Sequence, residues 1–279
     1  LTEAHPVVDL SLFRVRNFWA GALATAVGYG IFFGTVVILP LWLQEFMGYT
    51  ATLAGMTLAP VGLLAMLLSP AVGLTVNRVD PRVYASLAFV VFALVMWMRS
   101  LFTVEADFVT IMIPTIVQGV AVAFFFVPLV TITLSGLPPS RIAAPAGLSS
   151  STRTTARAVG TSIATTLWES RSTLHHAQLA ESINVGNSAA MHALHMLEAG
   201  GLSHAQALAV VNRLITQQAF MLSTQELFYG SALLFLALTG VISLARRIPA
   251  SDDGAGPATG AHRLTAHTCQ AGPSRSPHP

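Results

Sequence analysis

The chain contains no lysine, so all 14 of its basic side chains are arginines. Charged residues make up only 9% of the 279 residues, whereas a soluble globular protein carries about 25%. A protein with so few charges cannot cover a surface that faces water on all sides, which excludes an ordinary soluble protein. A nucleic-acid-binding protein is also excluded, because the arginines are dispersed at the ends of segments and form no basic patch.

Cysteine is almost as rare, since Cys269 is the only one in the sequence. An internal disulfide and a multi-cysteine metal site are therefore impossible. Without lysine the chain cannot complete a GxxxxGK[ST] phosphate-binding loop, so ATP-driven pumping by this chain alone is excluded. No nucleophile stands beside a base in a catalytic pattern, and we expect the protein not to be an enzyme.

The histidines are the remaining candidates for a metal site. His192 and His195 are three residues apart and could share a metal on a helix. No third ligand is fixed near them, so exposed polar side chains are the better interpretation. We expect no metal and no cofactor.

Apolar residues are abundant and make up 53% of the chain. They are concentrated in six stretches, each near the ~20 residues that cross a ~30 Å hydrocarbon core. This pattern predicts an all-α membrane protein with a bundle of six transmembrane helices within residues 18–247. The predicted spans are about 18–43, 52–75, 83–103, 108–135, 146–169 and 225–245.

Three other regions lie outside these spans. The sequence of residues 1–17 predicts an amphipathic segment at the membrane surface. Residues 248–279 have the composition of a disordered tail. Residues 170–223 form a long polar loop, within which a capping-box pattern at Ser203 to Gln206 predicts an amphipathic helix running into the last span. Because residue 1 is leucine, we expect the chain to be the later part of a longer protein.

The arginines indicate the orientation of the bundle. If the spans alternate, most arginines near span ends fall on one side, while the opposite side carries acids and only Arg99 near a membrane end. By the positive-inside rule the arginine-rich side is cytoplasmic. Both ends of the chain are then cytoplasmic and loop 170–223 is outside. The arginines on the inner side are Arg14, Arg16, Arg78, Arg82, Arg141, Arg246 and Arg247.

Glycine and proline interrupt the first and fourth predicted spans, where they permit close packing and bending. These spans begin the two halves of a three-plus-three arrangement, the pattern of transporters built from inverted repeats. Ordinary helix packing explains any single residue about equally well. The residues are Gly21, Gly28, Gly30, Gly34 and Pro40 in the first span, and Pro114, Gly119 and Pro128 in the fourth.

The fifth span is polar at its start and carries Arg153 and Arg157 on one face. Arg153 either lines a polar cavity or reaches the cytoplasmic surface, and for Arg157 the surface is the favoured interpretation. Further along, Ala156, Gly160 and Ala164 predict a small-residue face for close contact with another helix.

Other candidates for a substrate cavity are an amide and two aromatic side chains. Gln118 is the one amide near the middle of an apolar span, and either contacts substrate or makes an interhelical hydrogen bond, which is the favoured alternative. Tyr29 and Phe33 could line an aromatic cavity or simply pack. No Asp, Glu or His lies in the middle of a predicted span, so we expect any proton-coupling carboxylate to lie elsewhere.

The polar turn after the second span resembles a known signature. Its pattern, Gly73-Leu74-x-x-Asn77-Arg78-x-Asp80-x-Arg82, is similar to the major facilitator loop G-x-x-x-D-R-x-G-R-[KR]. It departs from that loop at Asn77, where the family has aspartate, and at Asp80, where the family has glycine.

A wider resemblance covers residues 7–247. Matching stretches include Leu43-Gln44-Glu45-x-Met47-Gly48-Tyr49, Gln118-Gly119-x-x-Val122-Ala123-x-Phe125-Phe126-x-Pro128 and Leu174-His175-His176. Together they resemble the C-terminal half of the EmrB branch of the EmrB/QacA drug-efflux transporters, which have fourteen spans. The resemblance implies the C-terminal six-helix bundle of a major facilitator fold.

In function, the resemblance implies proton-driven export of hydrophobic drugs across the bacterial inner membrane. Its implied partners are a missing N-terminal half, a periplasmic adaptor and an outer-membrane channel. It places Tyr29, Gln44, Glu45, Gln118 and Arg153 at or near the central cavity or its outer mouth. The alternatives are a non-transporting six-span membrane subunit and an inactive truncated fragment.

Overall fold

The computed structural model describes residues 16–75, 79–134, 143–184 and 186–243. Within these ranges all regular secondary structure is α-helical, which confirms the predicted all-α class. The helices are α1 (Arg16–Glu45), α2 (Ala51–Thr75), α3 (Pro81–Arg99), α4 (Phe108–Ala123), α5 (Phe126–Leu134), α6 (Ala143–Glu181), α7 (Ser188–Ala199) and α8 (His204–Ser243).

Five helical stretches of the described chain are long and apolar enough to cross a membrane. They correspond to predicted spans one to four and to the last span. Helix α6 covers the predicted fifth span, but its serine-, threonine- and arginine-containing sequence is less apolar than the others. The count of six, the exact domain boundaries and the tail at 248–279 stay predictions, and the tail lies outside the described residues. The five stretches are Trp19–Glu45, Ala51–Thr75, Pro81–Arg99, Phe108–Ile132 and His204–Ser243.

The fourth predicted span, 108–135, is not one continuous helix. Helix α4 ends at Ala123 and α5 begins at Phe126, with Phe124 and Phe125 between them. Pro128 explains the break, because it has no backbone N–H to donate to the carbonyl of Phe124 and its ring crowds that carbonyl. Pro114, by contrast, is accommodated within α4.

Most of the polar region 170–223 is helical rather than an irregular loop. Helix α6 continues to Glu181, and α8 begins at His204, well before the predicted last span. The predicted capping box is confirmed: the backbone N–H of Ser203 donates to Gln206 Oε1 at 2.9 Å, and the N–H of Gln206 donates to Ser203 Oγ at 3.3 Å. The helix predicted to run into the last span is therefore present as the first part of α8.

Two histidines meet one carboxylate at the joint between α7 and α8. Nδ1 of His204 lies 2.6 Å from Oε1 of Glu198, and Nδ1 of His195 lies 3.3 Å from Oε2. The hydrogen bond with His204 is the largest cause of a lowered pKa at Glu198. Among the described residues, no group of three or more His, Cys, Asp or Glu side chains is arranged to hold a metal ion.

The bundle is assembled from helix pairs that are distant in sequence: α1 with α6, α2 with α4, and α3 with α8. An aromatic core joins them, in which the rings of Phe32, Phe92, Phe125 and Phe235 stand 5.0–6.3 Å from their neighbours. Such ring pairs stabilise a core beyond the area they bury.

Helices α1 and α6 approach each other closely at their glycines. A Cβ at Gly34 would lie 2.8 Å from that of Ala164, and one at Gly160 would overlap the Cα and carbonyl oxygen of Gly30. At this crossing there is room only for the hydrogen atom that is the side chain of glycine, and not for a methyl group. The small-residue face predicted for Ala156, Gly160 and Ala164 is thereby confirmed as a helix contact, because Gly30 also faces the carbonyl of Ala156.

We predict that Gly160→Ala destabilises the bundle, because the added methyl group overlaps the Gly30 backbone and must push α1 and α6 apart. Overpacking of this kind costs about 1–3 kcal/mol. The measurement is the melting temperature of the purified protein in detergent.

Gly240→Ala is the matched control, since a Cβ at this position of α8 meets nothing within 4 Å. It should leave the melting temperature unchanged or raise it, because alanine is the better helix residue. Equal melting temperatures for the two variants would show that the crossing tolerates a methyl group.

Candidate functional site

Two arginines of α6 lie against two aromatic rings of α1. The guanidinium carbon of Arg153 is 6.0 Å from the ring centre of Tyr29, and that of Arg157 is 5.2 Å from the ring centre of Phe33. Both distances are within the range of cation–π contacts. Tyr29 and Phe33 are four residues apart in α1, and Arg153 and Arg157 are four residues apart in α6. The two contacts therefore repeat along the face that the two helices share. We call these four residues the arginine–aromatic site.

The site lies near the middle of α1. Gly30 is close to the centre of α1, and it meets Gly160, only three residues beyond Arg157. At about 1.5 Å per residue, Arg157 is roughly one helical turn from this central crossing, and Arg153 roughly two. The guanidinium of Arg157 lies beside the Phe33 ring, and its side chain is exposed, so both interpretations given for the two arginines stay predictions.

An aromatic wall borders Tyr29. Its ring is 5.4 Å from Phe125 and 5.3 Å from Phe126, the residues at the break between α4 and α5. The Pro128 break therefore places these two rings against α1. Tyr29, Phe33 and Arg153, three of the predicted cavity residues, are brought together here.

Gln118 is elsewhere, in the interior of the bundle. It is only 1% exposed, and its Oε1 accepts a hydrogen bond of 2.7 Å from Nη2 of Arg99. The favoured alternative for Gln118, an interhelical hydrogen bond, is thus the one that the structure contains. It does not contact the arginine–aromatic site.

Arg99 ends the apolar stretch Pro81–Arg99, as predicted, but its side chain is only 1% exposed. It is the last residue of α3 and turns inward, where Nη2 also donates to Thr115 Oγ1 at 3.3 Å and the guanidinium lies 5.8 Å from the ring centre of Phe228. Residues from α3, α4 and α8 thus meet at one buried charge. The spacing of residues along α3 does not predict that Arg99 is buried. The sequence feature that could have predicted it is the polar pair Thr115 and Gln118 in an otherwise apolar span.

Gln44 and Glu45 are exposed at the far end of α1. The Nε2 group of Gln44 donates to the carbonyl of Pro40 in the same helix at 3.0 Å. Phe33 is twelve residues from Glu45, about 18 Å along the helix. The structure does not bring these two residues to the arginine–aromatic site, and they remain candidates for an outer mouth only.

A second polar cluster, which the sequence analysis missed, joins α6 to α8. Nε and Nη2 of Arg171 bind both carboxylate oxygens of Glu226 at 2.7 and 2.8 Å, and Nε2 of His175 lies 3.1 Å from Oε1. About one helical turn before Arg171 in α6, the indole N–H of Trp168 donates to Thr224 Oγ1 at 2.8 Å. The pairing could not be found by spacing because its partners are 55 residues apart in sequence.

This cluster stands at one end of an apolar groove of about 790 Å³ between α1, α6 and α8. The groove is lined mainly by aliphatic side chains, with Arg171 and Glu226 among the few polar ones. It is separate from the aromatic wall of Phe125 and Phe126.

The signature turn has a structural role at the opposite end of the bundle. A carboxylate oxygen of Asp80 accepts the backbone N–H of Arg82 at 3.1 Å and caps α3. The guanidinium of Arg82 in turn donates to the carbonyl of Ser243 at 2.7 Å, at the C-terminal end of α8. A cation at that end of a helix is favourable because the carbonyls there carry partial negative charge. Gly73 is at the end of α2, and Asn77 and Arg78 lie outside the described residues.

Apolar helices long enough to span a bilayer, with a close glycine crossing between two helices of the bundle, are typical of a multi-pass membrane protein. The chain belongs to the Major Facilitator Superfamily, whose family model matches residues 3–161. This is a family of transporters rather than enzymes, and its members need no cofactor.

Several bacterial exporters are similar to the chain. It is 45% identical over 248 residues to the multidrug export protein EmrB of Escherichia coli K12, and 42% identical over 247 residues to EmrB of Haemophilus influenzae. It is 41% identical over 246 residues to the fatty acid resistance protein FarB of Neisseria gonorrhoeae. Each alignment covers 88% of this chain and 48% of the relative, so the chain spans about half the length of these relatives.

We predict that Gln118→Leu strongly destabilises the protein, because it removes the nearer of the two acceptors of a buried guanidinium, Gln118 Oε1 at 2.7 Å against Thr115 Oγ1 at 3.3 Å. A hydrogen bond to a charged group contributes about 1.5–3 kcal/mol, and the cost rises when the charge stays buried. The double variant Arg99→Met/Gln118→Leu should melt at a higher temperature than Gln118→Leu alone, because it removes the buried charge as well.

The same melting measurement on Gln44→Leu provides the control, since Gln44 is exposed and bonds only within its own helix. The double variant is compared with the single variants Arg99→Met and Gln118→Leu. If its change in stability equals the sum of theirs, the two side chains do not interact, and the prediction is wrong.

Proposed function

We propose that this chain is the C-terminal half of a proton-driven exporter of hydrophobic compounds. The observation that carries the proposal is the 48% coverage of EmrB and FarB relatives at 41–45% identity, along almost all of this chain. The two EmrB relatives are named for multidrug export and FarB for fatty acid resistance, so hydrophobic and amphiphilic small molecules are the proposed substrates.

In this proposal the arginine–aromatic site faces a central cavity. Charged side chains within membrane helices face a bundle interior or a water-filled cavity, because lipid cannot solvate them. The serine- and threonine-rich start of α6 and the half-buried Arg153 are suited to such a cavity. Tyr29 and Phe33 on α1, with Phe126 on α5, supply apolar contact area beside it.

Transport then follows from rocking of this helical bundle against a second bundle supplied by the N-terminal half. The α1–α6 glycine crossing keeps the arginine–aromatic site together while the bundle moves. We assign the proton-coupling carboxylate to the N-terminal half, because no acid of this chain lies in the middle of its apolar spans. The transporter is proposed to sit in the bacterial inner membrane with both ends of this chain in the cytoplasm.

The proposed partners are those that the resemblance implies. Besides the N-terminal half, they are a periplasmic adaptor and an outer-membrane channel. The helical region formed by the end of α6, α7 and the start of α8 would lie on the outer side of the membrane in the proposed orientation. Gln44 and Glu45, at the end of α1, would lie at the same side.

We predict that the 279-residue chain alone exports nothing and that joining it to the N-terminal half of E. coli EmrB restores export. The chain supplies only one wall of the proposed cavity, so a complete pathway needs the second bundle. The measurement is drug resistance and intracellular drug accumulation in cells that lack their own EmrB.

Membrane levels of both proteins must be matched by immunoblotting. Export by the isolated chain would contradict the half-transporter proposal. A joined protein that reaches the membrane yet exports nothing would instead favour a non-transporting subunit or an inactive fragment.

A further inference from the structure

Arg99 brings a positive charge into the bundle without a negative charge beside it. Its side chain is 1% exposed, and a guanidinium stays protonated in proteins. The ion pairs of the described residues do not include Arg99, so no carboxylate of the described chain lies within ion-pair distance of it. A buried charge without a counter-charge is strongly destabilising, and a bound anion would remove that cost.

The neighbours of this guanidinium supply dipoles and an aromatic face, but no net negative charge. Nη2 donates to Gln118 Oε1 at 2.7 Å and to Thr115 Oγ1 at 3.3 Å. The ring centre of Phe228 lies 5.8 Å from the guanidinium carbon. Thr115 in turn donates its hydroxyl to the carbonyl of Ile111. Because all these groups are neutral, they stabilise the charge of Arg99 only in part.

Two buried N–H donors beside the Arg99–Gln118 contact have no acceptor. They are Nε of Arg99 and Nε2 of Gln118, both of which are buried without a hydrogen-bond partner. In each group the unpaired nitrogen shares a carbon atom with the atom that makes the 2.7 Å contact, so one small acceptor can bridge both donors. A water molecule would satisfy the donors alone, whereas an anion satisfies the donors and the charge together.

The position of Arg99 gives an ion from solution a short route to these donors. Arg99 is the last residue of α3, and α4 begins only at Phe108. Leu101, in the connection between the two helices, is 60% exposed. An ion can therefore arrive at this end of the bundle without crossing the apolar core.

From this arrangement we propose that Arg99 and Gln118 bind one small monovalent anion, such as chloride, between α3 and α4. Nε of Arg99 and Nε2 of Gln118 donate to the ion, and its single negative charge balances that of the guanidinium. The ion acts as a structural ligand that links the two helices. This site is separate from the arginine–aromatic site and does not depend on the proposed transport function.

The test is the melting temperature of the full 279-residue chain in nanodiscs of zwitterionic lipid, measured as chloride replaces gluconate at constant sodium concentration and pH. Gluconate is also monovalent, but it is too bulky for so buried a site. An ion that binds only the folded chain stabilises it, so saturating chloride should raise the melting temperature by about 4 °C or more. Equilibrium dialysis with radiolabelled chloride should show one saturable site per chain.

Gln118→Glu separates this site from any other effect of chloride, because it keeps an acceptor for Nη2 of Arg99 and adds a fixed negative charge. That charge takes the place of the ion. Without chloride, Gln118→Glu should melt at least as high as the native chain does with chloride. Chloride should no longer shift its melting temperature. In Arg99→Met, which has no charge to balance, dialysis should show that the chloride site is lost.

Arg213→Gln is the matched control, since it removes an exposed arginine of α8 and should keep the full chloride-dependent shift. A native melting temperature that does not respond to chloride, or dialysis that finds no bound ion, would overturn the proposal. An equal chloride shift in Gln118→Glu would also overturn it, because the ion would then act elsewhere on the molecule.

Discussion

The contact between α1 and α6 at Gly30 and Gly160 is the constraint on which the candidate site depends. A methyl group at Gly160 would overlap the Gly30 backbone, so the two helices are as close as their main chains permit. This closeness brings the guanidiniums of Arg153 and Arg157 to the rings of Tyr29 and Phe33. With larger side chains at the crossing, the same residues would face each other across a gap too wide for cation–π contact.

Polar contacts between helices determine how the remaining helices are joined. In a bilayer, apolar surface gives helices little reason to prefer each other over lipid, so packing and interhelical hydrogen bonds carry more of the specificity. Arg99 with Gln118 joins α3 to α4, Trp168 with Thr224 joins α6 to α8, and Arg82 joins α3 to the end of α8. Each contact connects positions that only one relative placement of the helices allows.

Much of the helical architecture could be predicted from sequence, because its signals are local. The lengths of the apolar stretches predicted the helices, Ser203 and Gln206 predicted the start of α8, and Gly160 predicted a close crossing. Non-local features were predicted less well. The break at Phe124 depends on Pro128, but Pro114 in the same span is accommodated within a helix. Arg99 does lie at the end of a span, but nothing along α3 indicates that its side chain is buried and donates to Gln118 and Thr115.

By itself, the sequence determined the class of protein: a chain that is 9% charged and 53% hydrophobic, with apolar stretches near ~20 residues, matches a membrane protein built of helices. It also determined which faces of those helices carry small or charged residues. Only the tertiary structure decided which faces meet, and hence that Arg157 joins Arg153 beside Tyr29 and Phe33 while Gln118 binds Arg99. The physical reason is that these pairings join residues far apart in sequence, and their geometry is set by packing between helices rather than by periodicity within one.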